Sequence, residues 1–153
     1  MTKTFEIYHR VSKLPAGERI FSKLYARKAP YFKTIRPKVT AMEPHFASLT
    51  LPKRKSVENH IGTVHAIAVC NGLEAAMGLL AEATVPEGMR WLPKSMQVNY
   101  LAKGTTDLVC TAQTTAADWE QAPEVPVKVK ATRSDGTIVV EGVIGLWVTP
   151  YAK

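Results

Sequence analysis

The 153-residue chain reads as an α+β protein: an antiparallel β-sheet wrapped around one long central helix, with extra helices before it. Three observations predict this. Residues 65–82 form a single long apolar run of helical character. The second half of the chain holds about four strand-like runs. No helix separates those runs, whereas a doubly wound α/β sheet needs a crossover helix between successive parallel strands. A curved sheet covering the helix explains why the helix is apolar on nearly every side.

The composition agrees. Hydrophobic residues make up 46% and charged residues 22%, a balance that excludes disorder. The length fits one domain, residues 1–153. Within it, residues 1–36 form a helical, basic segment and residues 37–153 the core.

The elements follow in order. Residues 5–13 predict a short helix. Residues 16–28, AGERIFSKLYARK, predict a second, amphipathic one. Pro15 stands just before it, and Ile20, Phe21, Leu24 and Tyr25 recur at helical spacing. Ala29-Pro30 stops it. Residues 38–43 and 46–52 predict two strands around Glu43-Pro44-His45. The loop KRKSVENHIGTV leads into the apolar helix. After Pro86-Glu87-Gly88 come MRWLPKSMQVNYLAKG, TDLVCTAQTTAADW, VPVKVKATR and TIVVEGVIGLWVT, rich in β-branched and aromatic residues. Asp135-Gly136 between the last two signals a hairpin.

Charge is unevenly spread. The net charge is +7, yet residues 1–55 hold 13 Lys+Arg against 3 Asp+Glu. Such a segment suits an anionic partner or a solvated helix face. It contains no nucleic-acid reader motif, so nucleic acid is not expected as a partner. The N-terminus, MTKTFEIYHRVSKL, lacks the apolar core of a secretory signal. No apolar run reaches the ~20 residues of a membrane span. Cys70 and Cys110 lie in apolar segments without ligand spacing. They predict structural thiols, no metal site, and a reducing, cytoplasmic setting.

The chemistry centres on the apolar helix. Between Ala66 and Ala81 its only strongly polar side chains are Asn71 and Glu74, three apart on one face. An unpartnered buried carboxylate is expensive. Glu74 is therefore exposed on an uncovered strip, paired with a buried cation, or set in a pocket where burial suits a general base or nucleophile. His65 opens the helix, with Thr63 or a neighbour as its cap. The first-turn amides of Ala66, Ile67 and Ala68 form a site for a developing oxyanion. His65 and Glu74 are nine residues apart, about 13.5 Å along the helix and on opposite faces. Both serve one substrate only if a two-fold dimer packs two such helices antiparallel.

Asn59, Thr63 and His65 followed by an apolar helix with Glu74 resemble the active-site segment of hotdog-fold thioesterases, the phenylacetate-pathway (PaaI-like) branch above all. MQVNYLAKGTTDLVCTAQ resembles a later stretch of that family. LPAGERIFSKLYARKAPYFKTIRPKVTAMEPHFASLTLPKR resembles a bacterial subgroup of poorly defined function. The resemblance implies a hotdog fold and an acyl-CoA thioesterase, working as a homodimer or dimer of dimers. Glu74 would activate water or attack the thioester carbonyl. The Ala66 amide, with that of Ile67, would hold the carbonyl oxygen. Asn59 and His65 would orient thioester or water from the partner subunit. Lys103, Arg54 and Lys55 would be candidates for the phosphates of coenzyme A. Thr63 and Asn71 stand behind them, and Met77, Leu73 and Trp91 would line the acyl pocket.

The implied thioester carrier is coenzyme A or an acyl carrier protein, and no further cofactor is implied. The family's His-Gly-Gly is His65-Ala66-Ile67 here, which narrows the backbone approach to a ligand. This departure keeps open a non-catalytic acyl or fatty-acid binder beside the hydrolase. A hotdog hydratase or dehydratase is the remaining alternative. His60 adds an imidazole beside Asn59.

Overall fold

The computed structural model describes residues 1–151. Two helices open the chain: α1, Lys3–Val11, and α2, Gly17–Lys28. Thr2 caps α1 by accepting from the Phe5 amide, and its hydroxyl donates to the Glu82 carbonyl at 2.6 Å. A 3-10 turn, Pro30–Thr34, leads to β1, Lys38–Glu43, and β2, Phe46–Leu51. A second 3-10 turn, Lys55–Val57, precedes the central helix α3, Ala66–Thr84. The remainder is β3, Met89–Tyr100; β4, Leu108–Gln113; a short α4, Ala116–Trp119; β5, Glu124–Arg133; and β6, Ile138–Pro150.

All six strands join one antiparallel sheet in the order β1-β2-β4-β5-β6-β3. The sheet curls around α3, which packs mainly on β2, β4 and β5. This is the hotdog arrangement. Alternation along the strands sends Leu49 and Leu51, Cys110 and Ala112, Val125, Val127 and Val129, and Ile144 and Leu146 inward onto α3. Gly72 lets the helix approach the sheet: a Cβ there would lie 2.8 Å from the Cys110 sulfur. By length and composition alone α3 is long and apolar enough to span a bilayer, but most of it is buried inside the protein.

The N-terminal helices belong to the same core. Phe5, Phe21, Tyr25 and Ile35 are buried with it. The Ser22 hydroxyl accepts from the Val39 amide at 2.8 Å, tying α2 to β1. Of the four apolar residues expected along α2, only Phe21 and Tyr25 face inward. Ile20 and Leu24 stay 44% and 41% exposed, because α2 buries one narrow face.

Two strand-like runs are shorter than the sequence suggests. The first ends at Tyr100. The second stops at Gln113, because Thr115 and Asp118 form a reciprocal capping box that starts α4. The Asp135-Gly136 hairpin has a three-residue loop. The Arg133 amide donates to the Thr137 carbonyl and the Gly136 amide to the Arg133 carbonyl. Gly136 takes φ 83, a left-handed conformation that glycine adopts without strain.

Candidate active site

Glu74 is half-buried in the protomer. Of the three placements open to it, the structure shows the uncovered strip. The sheet does not close over one stripe of α3, which carries Ile67, Cys70 and Glu74 at helical spacing. Ile67 is 55% exposed, and the other two are partly so. Among the described residues Glu74 makes no ion pair and no side-chain hydrogen bond.

What lies opposite is β3. Its pairing with β6 turns Trp91, Pro93, Met96, Val98 and Tyr100 to the helix side, opposite inward-facing Val148, Leu146, Ile144, Gly142 and Val140. One turn beyond Glu74, a Cβ on Gly78 would sit 3.4 Å from the Trp91 ring. One turn before it, the Cys70 sulfur lies 3.8 Å from the Tyr100 hydroxyl. Glu74 thus lies on α3 between these two approaches to β3. Behind it, the buried Tyr25 hydroxyl donates to the Ala75 carbonyl at 2.8 Å. Burial pushes that phenol far up, and the charges of Glu82 and Glu74 add to the effect.

Of the capping candidates at the helix start, His65 is the N-cap. Its Nδ1 accepts from the Ile67 amide at 3.1 Å, which leaves the ring proton on Nε2. The Ile67 amide is therefore not free for an oxyanion. The amides of Ala66 and Ala68 have no acceptor among the described residues. His65 itself is exposed.

Thr63 and Asn59 hold the preceding loop. Asn59 donates from Nδ2 to the Thr63 hydroxyl at 2.8 Å. Its Oδ1 accepts from the amides of Ile61 and Thr63, both at 3.1 Å. These bonds use the Asn59 amide on the loop itself, so its first role is to shape the approach to His65. His60 is exposed.

Other candidates separate from Glu74. Met77 and Leu73 are fully buried core side chains, so neither lines an open pocket. Asn71 is buried and donates to the Thr34 hydroxyl at 3.0 Å, which makes it a tie between α3 and the first 3-10 turn. Arg54 donates to the Thr34 carbonyl and to the Ser56 hydroxyl. Lys55 pairs with Glu58 at 3.8 Å. Lys103 is exposed at the loop after β3.

The family described as a domain of unknown function, DUF4442, matches residues 17–148. No curated protein matches the chain. Among solved structures, the crystal structure of genomics APC5556 is similar at 38% identity and TM-score 0.84, over 96% of this chain and 97% of that one. A protein of unknown function from Pseudomonas aeruginosa, described as a probable thioesterase, follows at 18% identity and TM-score 0.74, over 90% and 97%. A hypothetical thioesterase with coenzyme A from Streptococcus pneumoniae is 16% identical at TM-score 0.70, over 84% and 99%. The last two share the fold.

Proposed function

Since this chain belongs to the DUF4442 family and folds as a hotdog protein, we propose that it is a thioester hydrolase acting on acyl-CoA or an acyl-carrier thioester. One observation carries the reading. The central helix presents a single unpaired carboxylate, Glu74, on the stripe that its own sheet leaves open. The thioesterase descriptions of fold neighbours support it.

The site is completed by a second copy. β3 is an edge strand of 12 residues. Leu92, Met96 and Tyr100 on it are exposed. Two copies related by a two-fold along β3 bring Glu74 of one toward the helix start of the other. Glu74 accepts a proton from a water molecule, and the water oxygen forms a bond to the thioester carbon. The carbonyl oxygen becomes an oxyanion held by the free Ala66 amide at the partner's helix tip, where the macrodipole adds positive potential. The C–S bond then breaks, and the thiolate leaves with a proton returned from Glu74. The Nε2–H of His65 is a donor on the same rim. Coenzyme A enters as part of the substrate.

Thiol release from a panel of acyl-CoAs tests this. Glu74→Ala and Glu74→Gln should each lower kcat by about 10²–10⁴-fold. Mixed Glu74→Ala and His65→Ala protomers should regain part of the rate. Wild-type rates in the Glu74 variants would refute the assignment. One observation favours a second reading, an acyl binder without turnover: the Ile67 amide is already taken by His65, leaving fewer oxyanion donors. Acyl-CoA binding by wild type with no thiol release would establish that reading instead.

A further inference from the structure

A second concave site lies away from Glu74, between α2, the first 3-10 turn and the β1–β2 edge. It is a cleft of about 780 Å³ lined by Arg19, Lys23, Arg27, Lys33, Arg36 and Lys38 with one acid, Glu18. All six cations are exposed, and none forms an ion pair among the described residues. Elsewhere Lys28, Lys53, Lys55, Lys94 and Arg133 each meet a carboxylate. Arginine 36 holds this place at φ 48, a left-handed backbone that costs a non-glycine residue.

The cations come from three elements that the core fixes. Arg19, Lys23 and Arg27 recur along one stripe of α2. Lys33 and Arg36 follow on the turn. Lys38 opens β1, where it pairs with Thr50 of β2. The floor is locked by Ser22 bonding to the Val39 amide. The basic run continues to Arg54, whose guanidinium is held by the Thr34 carbonyl and the Ser56 hydroxyl. Partial burial, and then the nearby charge of Arg36, lower its pKa.

Six like charges held around one hollow raise its potential and call for a counter-anion. A membrane surface fits a convex or flat basic face better than a recess. The volume lies in the range of small-molecule sites. At about 1.5–2 negative charges per phosphate group, a ligand with two or three of them brings about 3–6 charges, a range that spans the cleft's excess of five. We propose that the α2–β1 cleft binds a small polyphosphorylated anion, held by Lys23, Arg27, Lys33 and Arg36. The cleft is separate from Glu74, and its binding does not depend on hydrolysis.

Calorimetric titration of the whole protein with adenosine 3′,5′-bisphosphate and with inorganic tripolyphosphate tests this at near-physiological salt. Saturable binding at one site per protomer is expected for at least one probe. Tighter binding of the bisphosphate identifies a nucleotide end. Tighter binding of tripolyphosphate identifies a free polyphosphate. The Lys23→Ala/Arg27→Ala double variant should weaken the favoured probe tenfold or more. Lys33→Ala/Lys38→Ala should do the same, so one misfolded variant does not decide the matter. The outer-face double variant Lys128→Ala/Lys130→Ala should leave affinity unchanged. Equal losses in all three doubles would reduce the cleft to diffuse surface charge and overturn the proposal. So would binding to phosphatidylserine vesicles or to nucleic acid with no saturable binding of either small anion.

Discussion

At the scale of single residues, environment decides which chemistry a side chain keeps. Burial pushes the Cys110 thiol up to about 12, which makes it an inert core group. Asp135 shows the reverse. The Arg133 guanidinium, at 2.7 Å, and then the Thr137 amide and hydroxyl hold its carboxyl far below the usual range. A depressed folded-state value contributes stability in full above the unfolded value of about 4. That contribution is lost as pH falls from there toward the folded value. Asp135→Asn should therefore flatten the fall of the urea midpoint between pH 5 and pH 3, and superimposable curves would contradict the assignment. Glu74 was legible as the one acid between Ala66 and Ala81. Its half-exposure was not, because an all-apolar helix does not announce which of its sides the sheet leaves open. Met77, three positions on, was a pocket candidate by resemblance and is core, the commoner fate of a Met on a helix.

Helices and strands were read more surely than the residues they present. The apolar run of α3 and the β-branched runs of the sheet follow from periodicity and from what a curved sheet must cover. The capping box of Thr115 and Asp118 was visible as Thr-x-x-Asp but lay inside a strand-like run, so local capping overrode the composition. Ile20 and Leu24 fit a helical stripe, yet α2 buries only the neighbouring Phe21 and Tyr25. The central helix lies in the middle of the core, and Leu80 on it is completely buried. Leu80→Ala should cost about 2–5 kcal/mol in urea or thermal unfolding. A loss below 1 kcal/mol would mean that the sheet collapses onto the vacancy.

The whole molecule leaves one long strand unfinished. β3 borders the sheet with both faces largely open, while Trp147 on the outer side is covered by the Lys94 ammonium at 4.1 Å. Uncovered edges of this length invite pairing with another chain. On the proposed dimer, Met96→Arg should shift the protein toward monomer in sedimentation and abolish the proposed thioester turnover with it. A monomeric wild type would remove the shared site. The expectation of a second copy came from the spacing of His65 and Glu74, whereas the open edge of β3 became visible only in three dimensions.

That edge is also interrupted. Pro93 has no amide hydrogen, and the β3–β6 register slips between Pro93 and Ser95. A neighbouring strand can zip without a missing rung only along residues 95–100. In the dimer proposed above, the dyad would thereby be pinned near the Tyr100 end, with the proline as a stop against sliding of one copy past the other.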